Sequence, residues 1–202
     1  MTDLAAASDT GIRHQLRGER VYLRPAERSD IPSFVRWLND AETASFLAAR
    51  APLSIAAEQD WFEKMLAAHG KERWFFVICL LAGDQAIGTI GLFDLDQVNG
   101  SAGMGIAIGE KSMWGHGYGT DALNALLDFG FGELRLERTW LEVNDDNLRA
   151  KRSYEKCGFV HEGIERHAMY RDGRHHDLEL MSILRAEWSA LDRRRSWQYD
   201  PD

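Results

Sequence analysis

Hydrophobic positions change period along the chain, and the changes mark its elements. Arg20-Val-Tyr-Leu-Arg24 reads as a short strand closed by Pro25. Ser29 or Asp30 then caps a helix in which Ile31, Phe34, Val35 and Leu38 recur at i, i+3, i+4 and i+7. Pro52-Leu-Ser54 starts a second helix, with Phe62, Met65 and Leu66 on one stripe and its end at Gly70. The run from Trp74 to Leu81 is apolar and of strand length, and Gly83-Asp84 turns it into Ala86 to Phe93 as a hairpin. Asn99-Gly100 leads into a third strand, Gly103 to Ile108. A glycine-rich loop, Trp114 to Gly119, precedes a helix with Ala122, Ala125, Leu126 and Phe129 on one face. Thr139 to Val143 reads as a strand, and Asn147 to Lys156 as a helix stopped by Gly158. Phe159 to Tyr170 and Leu178 to Leu184 form a last hairpin around Arg171-Asp-Gly-Arg174. No internal repeat or linker interrupts the pattern. It predicts one α/β domain whose sheet is mixed and mostly antiparallel, flanked by helices.

Composition narrows the class. The chain has 202 residues, 45% of them hydrophobic and 28% charged, which suffices for a sizeable core. Its 24 basic and 32 acidic side chains give a net charge of -8, against general attraction to nucleic acid and mildly in favour of cationic partners such as amines. No stretch reaches the roughly 18 apolar residues of a membrane span. The N-terminus lacks the basic and apolar regions of a secretory signal. Cys79 and Cys157 form no C-x-x-C pair, so a reduced, cytoplasmic protein is expected. Residues 1–18 read as a flexible leader, 19–188 as the domain, and 189–202 as a polar tail in which Arg193-Arg194-Arg195 is a solvated end.

The glycine loop carries the first chemical signal. A strand, then Gly115, Gly117 and Gly119, then a helix can hold a diphosphate. Glycines let a ligand approach the backbone, and the helix start offers unpaired N–H groups and the positive end of its dipole. The spacing G-x-G-x-G departs from the dinucleotide fingerprint, and no Gly-Lys-Ser/Thr follows. Alone, the loop reads equally well as a tight strand-to-helix turn.

A second segment changes the balance. Asn147, Ala150 and Tyr154 lie at i, i+3 and i+7, so a polar amide, a small residue and a phenol share one helix face. Trp114-Gly-His-Gly-Tyr-Gly-Thr120, together with Asn147 and Tyr154-Glu-Lys-Cys-Gly-Phe159, resembles the acetyl-CoA motifs of the GNAT superfamily of N-acetyltransferases. Arg171-Asp-Gly-Arg-His-His-Asp177 and Met181-Ser-Ile-Leu184 further resemble its ribosomal-protein N-terminal (alanine/serine) acetyltransferase branch. The likeness spans residues 19 to 188.

The resemblance implies a GNAT fold of about seven strands and acetyl-CoA as co-substrate, with no metal. It places the pyrophosphate on main-chain amides of Trp114, Gly115, His116, Gly117, Tyr118, Gly119 and Thr120. It has the strand Met104 to Ile108 splay from its neighbour, so that Ile106, Ala107 and Ile108 meet the pantetheine arm. Asn147 and Ala150 would line that arm, and Arg149, Lys151 or Arg152 would face phosphates. Tyr154 is the expected acid for the leaving thiolate: a phenol near pKa 10 can protonate a sulfur whose conjugate acid lies near 8.5. Trp114 departs from the Gln or Arg common at its position. Gly103 departs from a Glu that many relatives carry, which leaves Glu142, Asp94 or a water chain as base. A missing base leans toward an α-amine of pKa about 7.7–8.0 over a lysine-like amine near 10.4.

The acceptor itself is not written in the sequence. A protein N-terminus, a polyamine and an aminoglycoside-like amine all suit an acidic protein. Trp37, Phe46, Trp61 and Phe62 read mainly as core, although the resemblance sets the first two helices and the loop Asn39 to Ser54 beside the acceptor cleft. His175-His176-Asp177 invites a metal, yet neighbours on a strand face opposite ways. Cys157 with His161 suggests a thiol nucleophile, which direct transfer from a thioester does not require. Homodimers are frequent in the resembled branch. The competing expectations are a catalytically silent acyl-CoA sensor of the same fold and a nucleotide-binding protein built on the glycine loop.

Overall fold

A computed structural model describes residues 16–47 and 52–199. Seven strands form one sheet in the order β1-β2-β3-β4-β5-β7-β6. β1 (Val21–Pro25), β2 (Trp74–Leu80), β3 (Ala86–Asp96) and β4 (Ser101–Ile108) run as an antiparallel meander. β5 (Arg138–Asn144) pairs parallel with β4 and antiparallel with β7 (Arg174–Leu184), and β6 (Val160–Arg171) closes the far edge.

The apolar runs of β1 and β2 follow from burial on both faces, where alternation disappears. Val21, Leu23, Phe76 and Ile78 enter one core, under α4 (Tyr118–Asp128) and α5 (Leu148–Lys156). Tyr22, Val77 and Cys79 enter a second core, under α1 (Ile31–Asn39) and α3 (Ile55–Ala68). A short helix, α2 (Ala41–Ala44), follows α1, and Asp40 caps it by accepting from Thr43 N at 2.9 Å.

Two expectations about side-chain facing change. The buried stripe of α3 is Glu58, Phe62 and Met65, spaced i, i+4 and i+7, while Leu66 is 40% exposed. Leu66 lies about 100° beyond Met65 around the helix and is turned to solvent. The tail also differs from a solvated end. α6 (Arg185–Ala190) and residues to 199 pack back onto α4, where Arg193 Nη2 lies 2.7 Å from the buried Asp128 carboxylate. At the other end, Leu16 packs on the first core and accepts from Leu23 N. The rest of the expected leader, 1–15, lies outside the described residues, as do 48–51 of the expected cleft loop and 200–202.

The sheet has one opening. β4 and β5 pair through only three positions, Ser101↔Arg138, Ala102↔Thr139 and Gly103↔Trp140. Beyond Gly103 the strands diverge, and β4 continues against β3 alone as far as Ile108↔Gly88.

Candidate active site

A cavity of about 1110 Å³ passes through this opening and is walled from both sides of the sheet. Residues of α4, α5 and the glycine loop wall one half. Residues of α1, α2 and α3 wall the other. Of the thirteen positions expected to touch the donor, twelve line the cavity besides Tyr154 and Glu142. These are Ile106, Ala107, Ile108, Trp114, Gly115, Gly117, Tyr118, Gly119, Thr120, Asn147, Ala150 and Arg152. His116 does not line it; its carbonyl accepts from Arg20 Nη1 at 2.6 Å.

The loop is built for an anion. Gly117 caps α4 at φ +85°, a conformation that strains any residue with a Cβ. The first backbone bond back into the helix comes from Asp121 N to Gly117 O, 3.0 Å, so the preceding N–H groups point outward unpaired. An acid in the first turn would repel a diphosphate. Here the Asp121 carboxylate instead turns away to accept from the backbone N–H groups of Glu19, Arg20 and Val21 at 2.9–3.0 Å. Arg20 then places a cation over the Tyr118 ring, 4.1 Å from its centroid, beside Gly117.

Trp114 does structural work that its chemistry permits. Its indole N–H donates to Ile108 O at 2.7 Å, and Arg149 lies 3.8 Å above its ring. Arg149 and Arg152 both line the cavity, whereas Lys151 is paired with Glu179 at 2.8 Å. Asn147 lines the cavity and caps α5 by accepting from Ala150 N at 3.1 Å.

Tyr154 is 7% exposed, packs beside Phe159 and reaches the cavity from α5. Burial, with Cys157 adjacent, pushes its phenol up to about 12. It therefore stays protonated throughout the neutral range. Cys157 is fully buried and is itself pushed up to about 12 by burial, the opposite of an activated thiol.

The other half of the cavity is aromatic and acidic. Trp61 meets Phe75 edge-on at 5.2 Å, and Phe93 meets Trp140 at 5.5 Å. Phe93 also explains Gly103: a Cβ there would sit 2.3 Å from the Phe93 ring, so the ring fills the space a longer side chain would need. Glu142 and Asp94 line this half, together with Glu58, which sequence reading assigned to no site. Burial and the Glu165 charge raise the Glu142 carboxyl. Above them, Arg171 at the β6–β7 hairpin donates to Ala44 O and to Leu47 O, the latter at 2.7 Å, and holds the α2 segment over the opening. The expected His pair does separate: His175 stacks with His167 at 5.1 Å, while His176 faces Asp145 and Asp146 on an exposed edge outside the cavity.

Comparison with known proteins agrees with this layout. Residues 20–160 match the family described as "Acetyltransferase (GNAT) domain". The spermidine N(1)-acetyltransferase of Vibrio cholerae is 26% identical over 82% of this chain and 94% of its own. The Vibrio cholerae spermidine N-acetyltransferase structure in complex with CoA and spermine superposes with a TM-score of 0.78 at 27% identity, covering 84% of this chain and 98% of that one. A Bacillus subtilis protein, YdaF, provisionally named a ribosomal N-acetyltransferase, is 38% identical over 55% of this chain and 60% of its own.

Proposed function

This chain belongs to the GNAT acetyltransferase family and is an acetyl-CoA-dependent N-acetyltransferase, and from that premise we propose that its acceptor is a primary alkylamine of the polyamine class. The observation that carries the reading is the cavity's passage through the β4–β5 opening. Its two halves differ in chemistry, with anion-binding groups on one face and aromatic rings with carboxylates on the other. Aromatic faces and carboxylates together suit a long, flexible cation with apolar segments between its charges. The full-length likeness to spermidine acetyltransferases supports the same class.

The donor's fit rests on this chain's own groups. Unpaired N–H groups at the start of α4 and Arg152 would hold the diphosphate, and the backbone of Ile106 to Ile108, which has no strand partner toward β5, would hold the pantetheine. Acetyl-CoA supplies the activated carbonyl and a thiol leaving group. Tyr154 holds the proton for that sulfur, and its exclusion from water keeps the proton in place until a thiolate develops beside it. Glu142 would take the proton the amine loses, and its burial-raised carboxyl is the better base for it. A lean toward weakly basic α-amines rested on the absence of a carboxylate near Gly103; the cavity brings three carboxylates to that region, so the lean is not kept.

The test is thiol release from acetyl-CoA against spermidine, spermine, short diamines, and peptides with Ala or Ser ends. Polyamine-dependent release is expected. The likeness to the Bacillus subtilis protein favours a second reading, an N-terminal α-amine, and release with peptides alone would select it.

A further inference from the structure

Glu58 is a buried acid on the wall of the cavity. It sits in the first turn of α3, 4% exposed, one helical turn before Phe62, and it lines the acceptor half of the cavity. Among the described residues, no hydrogen bond or ion pair reaches its carboxylate. Buried carboxylates are otherwise paired in this fold: Asp30 is held by Arg24 at 2.7 Å and Asp128 by Arg193 at 2.7 Å. A buried charge without a partner costs stability, so its position on a cavity wall calls for a ligand. Burial alone raises its carboxyl, and no neighbouring cation offsets the effect. Arg73 lines the same cavity but makes no ion pair with it.

The surroundings specify the ligand's chemistry. Trp61, three residues on, presents its ring from the same helix, and Phe34 and Phe75 complete an aromatic collar. In the sheet, Gly103 offers no side chain and is covered by the Phe93 ring. Asp94 and Glu142 reach the cavity from the sheet and Glu58 from the helix across it, and of these three acids Glu58 alone is buried.

We propose that Glu58 is the acceptor-recognition residue, receiving a positively charged nitrogen of an alkylamine against the Trp61 and Phe75 rings. The inference rests on the amine-acceptor reading above and names the group that enforces it. Glu58 touches the acceptor and not the donor, because it lies on the α3 face of the sheet while Tyr154 and the glycine loop lie on the α4–α5 face.

The experiment compares wild type, Glu58→Gln and Glu58→Asp with spermidine as the varied substrate. Loss of a buried charge pair predicts a KM for spermidine raised about ten- to a hundredfold in Glu58→Gln, with kcat changed less than about threefold and the KM for acetyl-CoA unchanged. Glu58→Asp keeps the charge and should recover part of the loss. The free Glu58→Gln protein should melt at or above the wild-type temperature, since an unpaired buried charge has been removed. A residue with a merely structural role would instead lower the melting temperature and leave KM alone. Wild-type turnover with an unchanged KM in Glu58→Gln overturns the assignment of Glu58. Wild-type protein that acetylates no polyamine overturns the acceptor reading and, with it, this inference.

Discussion

Asp128 is the residue whose loss should most disturb this fold. It ends α4, is 1% exposed, and accepts five hydrogen bonds from the C-terminal segment. Trp188 Nε1 donates at 3.0 Å, Arg193 donates through both terminal nitrogens at 3.0 and 2.7 Å, and Ser196 donates from N at 2.8 Å and Oγ at 3.3 Å. Asp128→Ala strands an indole N–H and removes the charge partner of Arg193, whose side chain is 18% exposed, and the nearby carboxylate of Arg195, 11% exposed. Five net bonds at about 0.5–1.5 kcal/mol each give a range that contains the roughly 3–5 kcal/mol for removing one partner of a buried ion pair. We therefore expect a loss of about 3–5 kcal/mol, equivalent to a fall in Tm of roughly 10 °C for a chain of this size. Urea unfolding followed by tryptophan fluorescence measures it, with Trp188 and Trp197 reporting locally. Saturating acetyl-CoA at a hundred times its Kd should restore about 2.7 kcal/mol. A loss below about 1 kcal/mol at unchanged m would refute the view that the tail is part of the domain. Near-additivity of Asp128→Ala and Arg193→Ala would refute the pairing itself.

Three further outcomes follow from the site and its surroundings. Tyr154→Phe should lower kcat by about 10²–10⁴-fold while the thermal shift with acetyl-CoA is kept, and an unchanged rate would remove Tyr154 from the chemistry. Gly103→Ala places a Cβ 2.3 Å from the Phe93 ring and should cost about 1–3 kcal/mol in urea, with Phe93→Ala relieving part of that clash. Glu162 is held down to about 2, first by Arg138 and then by Ser182. A depressed carboxyl stabilises above its unfolded value and loses that contribution as pH falls through the folded one. The Glu162→Gln protein should therefore show a shallower decline in urea midpoint between about pH 5 and pH 2 than wild type, and parallel declines would contradict the pairing.

Much of this architecture is legible in the residue pattern because it rests on local rules. The left-handed backbone of Gly115 and Gly117 in the loop, the Asn147 cap and the period change at Gly119 all act within one turn of themselves. The strand runs of β1 to β3 are equally plain, since burial on both faces leaves uninterrupted apolar stretches. What escaped reading was set by contacts distant in sequence. α6 has six residues, too short for a period to show, and it is fixed by Trp188 reaching Asp128 sixty positions earlier. Arg193 and Arg195 read as solvated because nothing local announces a buried acid. Glu58 was hidden by its type: in a sequence a glutamate in a first helical turn is an ordinary partner of the helix dipole. Only the fold shows that this turn faces a cavity.

Gly103 connects these observations. A glutamate on β4 at that point would lie beside the β4–β5 opening, and one side chain would serve both recognition and proton transfer. With Phe93 across Gly103, that position is closed, and the two tasks separate. On the proposed reading, recognition of charge falls to Glu58 on α3 and proton removal to Glu142 on β5, both on the wall of the acceptor half. The separation has a kinetic consequence. In a single-residue arrangement, neutralising the acid would alter KM and kcat together. Here Glu58→Gln should move KM alone, and Glu142→Gln should move kcat with its pH profile. If both variants moved both parameters by the same factor, the division of labour between helix and sheet would be wrong, even with the fold and the donor site intact.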